Sequence, residues 1–103
     1  MSAQQPIFPA DRPQPPDNPA RRKQVRRIFL EALRHASPYA LPVEVLQAHC
    51  NDLLRPPMNL AEWGITSAFL CKNGFIVSIT SDIDPDLKQW AITDLGKTLL
   101  ATL

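Results

Sequence analysis

Glycine is scarce in this chain: only Gly64, Gly74 and Gly96 occur in 103 residues. They are far apart, so no glycine-rich loop is present to cradle the phosphates of a nucleotide. Cysteine is scarcer still. Cys50 and Cys71 form no CxxC pair, and a small secreted domain would normally carry a fuller disulfide framework. Both are expected to be reduced thiols in a cytoplasmic protein. The two histidines, His35 and His49, fall in different helical patterns, and neither stands at metal-ligand spacing with a cysteine. No zinc site and no Cys–His nucleophile pair is therefore expected. No apolar run approaches the roughly 18 residues of a membrane span, and no apolar h-region follows the N-terminus. Neither a span nor a signal peptide is expected. These absences point away from an enzyme and suggest no cofactor, metal or small-molecule substrate.

Net charge is also small, +1 over the whole chain, so the molecule as a whole is no strong polyanion binder. The charge is uneven, however. Residues 1–57 hold eight Lys/Arg and five Asp/Glu, while residues 58–103 hold three and five. Any electrostatic pull on nucleic acid must come from the first half.

Proline is abundant but concentrated. Six of the eleven prolines lie within residues 1–19, where each removes an amide donor and fixes φ. Residues 1–19 are expected to form a flexible arm, with Ile7 and Phe8 as its only large apolar pair and Arg12 as a positive charge. Residues 20–103 are expected to form one domain with one core.

The order of elements follows from local signals. Asn18-Pro19 reads as an N-cap followed by proline at the first helical position. Val25, Ile28, Phe29, Ala32, Leu33 and Ala36 then fall on one helical face. Ser37-Pro38 stops that helix. A second helix is expected to start near Leu41-Pro42 and run to about Leu54, with Val43, Leu46, Cys50 and Leu53 inward and Leu54 adding width. Pro56-Pro57 ends it. Asn59 with Glu62 reads as the capping box of a third helix. Its inward stripe is expected to be Leu60, Trp63, Ser67 and Leu70, which leads to Gly74 as a left-handed C-terminal residue. Phe75–Thr80 and Leu87–Ile92 read as two strands around a polar tip. Asp82, Asp84 and Asp86 in that tip lack the glycine and closing glutamate of a calcium loop. Thr93 caps a last helix with Leu95, Leu99 and Leu103 inward and Leu100 beside them. Gly96 within it costs about 1 kcal/mol against alanine, which a close backbone approach to the first helix or the hairpin would explain.

Two stretches carry a resemblance: Leu70-x3-Gly74-Phe75-Ile76 and Trp90-Ala91-Ile92-Thr93-Asp94-Leu95-Gly96-Lys97. With the element order, they make the chain resemble a winged helix-turn-helix domain. The expected class is mainly α with a small β-hairpin: a three-helix core, a wing and a C-terminal helix. In size and layout the chain is also similar to small winged-helix proteins of Mu-like phages and prophages.

The resemblance implies a DNA reader whose third helix enters the major groove while the wing touches backbone or minor groove. On this chain the outward positions of that helix would be Ala61, Gly64, Ile65, Ala68, Phe69 and Lys72, with Thr66 at the margin. That face offers few donors or acceptors for base readout, and the aspartates of the wing would repel phosphates. Two functional expectations follow. One is backbone-dominated binding of double-stranded DNA through Arg21, Arg22, Lys23, Arg26 and Arg27, with Lys72, in a nucleic-acid-associated process related to phage or transcription. The other is a protein-interaction or homodimerisation module without DNA binding, in which exposed Ile65 and Phe69 make the contact.

Overall fold

The structure is a computed structural model, and it describes residues 18–80, 83–84 and 86–103. Most of the expected arm, including Ile7, Phe8 and Arg12, lies outside the described residues, as does Asp82. Among the described residues, four helices and three short strands follow one another. They are α1 (Pro19–Ala36), β1 (Leu41–Pro42), α2 (Val43–Leu53), α3 (Leu60–Lys72), β2 (Ile76–Thr80), β3 (Lys88–Ile92) and α4 (Asp94–Thr102). The strands form one antiparallel sheet in the order β1-β3-β2. This mainly helical layout with a small sheet is compatible with a winged helix. Among the described residues, no helix is long and apolar enough to cross a membrane.

The helix starts follow their caps. The Asn18 side chain accepts from the amides of Ala20 and Arg21, and Asn59 accepts from the amide of Glu62 at 2.8 Å. Each satisfies first-turn donors that have no partner inside the helix. The core forms where α1 lies across the other helices. Val25, Ile28, Phe29, Leu30, Ala32 and Leu33 of α1 meet Leu46, Cys50, Leu54, Met58, Leu70 and Ile76. Burying one large aliphatic or aromatic side chain fully is worth about 1.5–3 kcal/mol, so α1 is the element on which the fold depends most. Phe29 also packs against Trp63, with ring centroids 5.1 Å apart.

The two stretches that carry the resemblance meet in one junction. Gly74, at φ 79°, ends α3. Its amide bonds to the carbonyl of Cys71, and the amide of Phe75 bonds to that of Leu70. This is the paired pattern of a left-handed helix end. The Thr93 hydroxyl then donates to the Gly74 carbonyl at 2.6 Å and accepts from the Gly96 amide at 3.0 Å. The Thr93 amide donates to the Phe75 carbonyl. Gly96 is buried directly over that carbonyl, and a Cβ there would collide with the Phe75 oxygen. The close approach is thus to the hairpin, not to α1.

Several expectations need correction. The start of α2 at Val43 agrees with the expectation, but the unforeseen feature is that Leu41-Pro42 form β1, with Leu41 opposite Trp90 and Pro42 opposite Gln89. Proline lacks an amide donor and suits an edge position. Leu53 is 55% exposed while Leu54 is fully buried. On α3, Leu60 is 80% exposed and Thr66 is buried, so the inward face runs through Trp63, Thr66 and Leu70. The large ring of Trp63 against Phe29 sets that phase. On α4, Leu95 points outward and Gly96 inward, with Leu99, Leu100 and Leu103 against the core. In β2 only Ile76 is buried, and Val77 and Ile79 are exposed.

Candidate nucleic-acid interface

The basic run at the start of α1 divides between two sides of the helix. Arg21 turns to α3. Its Nε donates to Glu62 Oε2 at 2.9 Å and its Nη2 to Glu62 Oε1 at 3.0 Å. Nη2 also reaches the Pro56 carbonyl at 2.7 Å. The pair is 10% and 12% exposed, so this charge is neutralised inside the protein. Glu62, expected to close a capping box, instead serves as the acceptor for Arg21. Arg26 also turns to α3, with its guanidinium 3.7 Å from the centroid of the Phe69 ring. Burial, and then the charge of Arg22, lower its pKa below the ordinary value. A cation over an aromatic face is favourable, and here it holds α1 against α3.

Phe69 is accordingly half-buried. It lies under Arg26, and its centroid is 6.2 Å from that of Phe75. Its neighbour on the helix surface, Ile65, is 60% exposed. The two residues expected to make one apolar contact face are thus in different environments. The open apolar face of α3 consists of Leu60, Ala61, Gly64, Ile65 and Ala68. Lys72 is exposed in the last turn of α3. The described aspartates of the hairpin tip, Asp84 and Asp86, are exposed, as is Ile83, and the Asp86 amide donates to the Asp84 carboxylate at 3.1 Å.

The other side of α1 carries Lys23, Arg27 and Arg34. They stand at i, i+4 and i+11, and so share one face. All three are exposed. Arg27 and Arg34, with Glu31, line a cleft of about 240 Å³ against Lys97, Leu100 and Ala101 of α4. Among the described residues, none of the side chains of Lys23, Arg27, Arg34 and Lys97 has an ion pair or hydrogen bond. Glu31 is the single carboxylate in the cleft. Arg22 is exposed one turn before Arg26. Sequence reasoning misses Lys97 as a site residue because its meeting with Arg27 is tertiary. The i, i+7 spacing of Arg27 and Arg34 is the one local signal that Arg34 belongs to this face.

Cys50 is buried and its thiol is pushed up to about 12 by desolvation, whereas Cys71 is exposed. His35 and His49 come to one apolar cleft between α1 and α2, with Ala32, Ala36, Leu41 and Val45. No group of three or more potential metal ligands occurs among the described residues.

No family model matches the chain, and no curated protein is significantly similar to it.

Proposed function

We propose that the chain is a small winged-helix protein, akin to those of Mu-like phages and prophages, that binds double-stranded DNA through its phosphates. The contact lies on the α1–α4 face and uses Lys23, Arg27, Arg34 and Lys97. Arg21 and Arg26 hold α1 to α3 and leave the contact set. What carries the reading is the convergence of Arg27, Arg34 and Lys97 on one cleft without partners among the described residues. From Lys23 to Arg34 the rise along α1 is about 16 Å, or roughly five phosphate spacings along one strand. The apolar face of α3 and the acidic wing leave base readout weak, so the affinity is largely independent of sequence.

The test is fluorescence anisotropy with a mixed-sequence duplex at about 50 and about 200 mM salt. With three or four phosphates neutralised, affinity falls about 40- to 150-fold between those concentrations. The Arg27→Gln/Arg34→Gln/Lys97→Gln variant loses most of the binding and most of the salt slope. Absence of binding at the lower salt would refute the DNA reading.

A second reading has its own observation. Leu60 and Ile65 are 80% and 60% exposed on α3, and a Cβ added at Gly64 between them would meet no atom within 4 Å. This open apolar face favours a protein-interaction module. That reading gains if DNA binding fails while a Leu60→Ser/Ile65→Ser variant loses a partner.

A further inference from the structure

We infer that the outer edge of β2 pairs with β2 of a second copy of this chain, antiparallel about a two-fold axis at Ser78. β2 is an edge strand, since the sheet order is β1-β3-β2. An edge presents a row of unpaired amides and carbonyls, and proteins normally blunt it with lysine, proline, a bulge, a short length or a covering element. The opposite edge, β1, is blunted: it has two residues, one of them Pro42. Among the described residues, none of those devices occurs at β2. Its sequence, Ile76-Val77-Ser78-Ile79-Thr80, has no charge, proline or glycine. Its register with β3 runs unbroken from Ile76↔Ile92 to Thr80↔Lys88, so it contains no bulge. Among the described residues, no hydrogen bond from outside the sheet reaches these five. All but Ile76 are exposed, and three of the five are β-branched aliphatics suited to a strand.

The occupant is argued from self-complementarity. A two-fold axis at Ser78 sets Val77 of one copy opposite Ile79 of the other, twice, and Ile76 opposite Thr80. The side chains of Val77 and Ile79 share the outer face of the sheet, because their β3 partners Ala91 and Gln89 are two residues apart. Pairing therefore joins two half-exposed aliphatics, 45% and 39% exposed, into one four-residue cluster of close cross-strand pairs. No like charges meet in the register. The β2 edge is separate from the α1–α4 cleft, so dimerisation stands or falls independently of DNA binding.

Five residues a side make a small interface, under about 1,200 Å² in total, so the dimer is a weak one. Sedimentation equilibrium over about 5–500 µM is expected to show the average mass rise from 11.5 kDa towards twice that. Two double variants test the register. Val77→Lys/Ile79→Lys sets lysine against lysine across the axis and is expected to weaken dimerisation more than tenfold. Val77→Lys/Ile79→Glu removes the same apolar groups but sets lysine against glutamate, and is expected to keep Kd within about threefold. Both positions are exposed, so circular dichroism and thermal melts should show both variants folded. In the wild type, the outward amides of β2 gain hydrogen-exchange protection with concentration. A wild type that stays monomeric to 500 µM would overturn the inference. So would variants that both dimerise normally, or that both fail equally.

Discussion

Removing the carboxylate of Glu62 should unfasten α1 from α3. The Arg21 side chain is 10% exposed, and Glu62 accepts two of its parallel bonds, at 2.9 and 3.0 Å. In Glu62→Ala the guanidinium keeps only the Pro56 carbonyl, and its Nη1 is already buried without a partner. Breaking one side of a buried ion pair costs about 3–5 kcal/mol, because the other charge stays desolvated. The retained Pro56 bond sets the expectation at the lower end, about 3 kcal/mol. Loss of an acid from the first turn of α3 adds about 0.3–1 kcal/mol. For a domain of this size a loss of about 3 kcal/mol lowers Tm by about 12–24 °C, readable in a thermal melt by circular dichroism. Replacing both partners, Arg21→Met with Glu62→Met, removes the charge as well as the orphaned Nη1. It should land within about 1 kcal/mol of the wild type, leaving a large coupling energy in the cycle. A Glu62→Ala cost under about 1 kcal/mol, the range of solvated pairs, would refute the reasoning and return Arg21 to the cations available for other work.

The remaining predictions test packing and titration. Gly64→Ala should raise stability by about 0.5–1 kcal/mol in urea unfolding, since α3 gains propensity into open space. Gly96→Ala should lower stability by about 1–3 kcal/mol in the same assay, because its Cβ meets the Phe75 carbonyl and comes within 2.8 Å of Ile92 Cγ1. Leu60→Ser should change stability by less than about 0.5 kcal/mol, whereas Leu70→Ala should cost about 2–5 kcal/mol. A thiol reagent should label Cys71 in the native protein and Cys50 only on unfolding. The Cys50 thiol is raised from 9.0 to about 12 by burial, so its proton is held more tightly in the folded state. That stabilisation is complete below pH 9 and is lost as pH rises from 9 towards about 12. Urea midpoints should therefore fall less steeply above pH 9 in Cys50→Ala than in the wild type.

How much of the fold is legible in the chain depends on how local each determinant is. The helices can be placed because their ends carry local chemistry: Asn18-Pro19, Asn59 three residues before Glu62, Gly74 and Thr93. The face of α3 is not readable the same way. Leu60, Trp63, Ile65, Phe69 and Leu70 put apolar groups around most of the helix, so periodicity alone leaves the phase ambiguous. The choice is made by tertiary partners, Phe29 against Trp63 and Phe75 against Phe69. β1 escapes a sequence reading for a related reason: a proline at a strand edge and a proline opening a helix look alike until Trp90 arrives opposite Leu41.

The charge pattern shows the same limit more sharply. Arg21, Arg22, Lys23, Arg26 and Arg27 read as one basic block along the chain, but a helix turns about 100° per residue. Consecutive cations therefore cannot act as one surface. Arg21 and Arg26 fall on the side that α3 covers, where Glu62 and the Phe69 ring hold them. Arg27 falls on the other side, where it joins Arg34 one helix face along and Lys97 from α4. Counting charge in a window therefore overestimates the cations that any one ligand can meet and overlooks those that folding adds. The relevant quantity for phosphate binding is the set left without partners on one face, and on α1 that set is defined by what α3 has already taken.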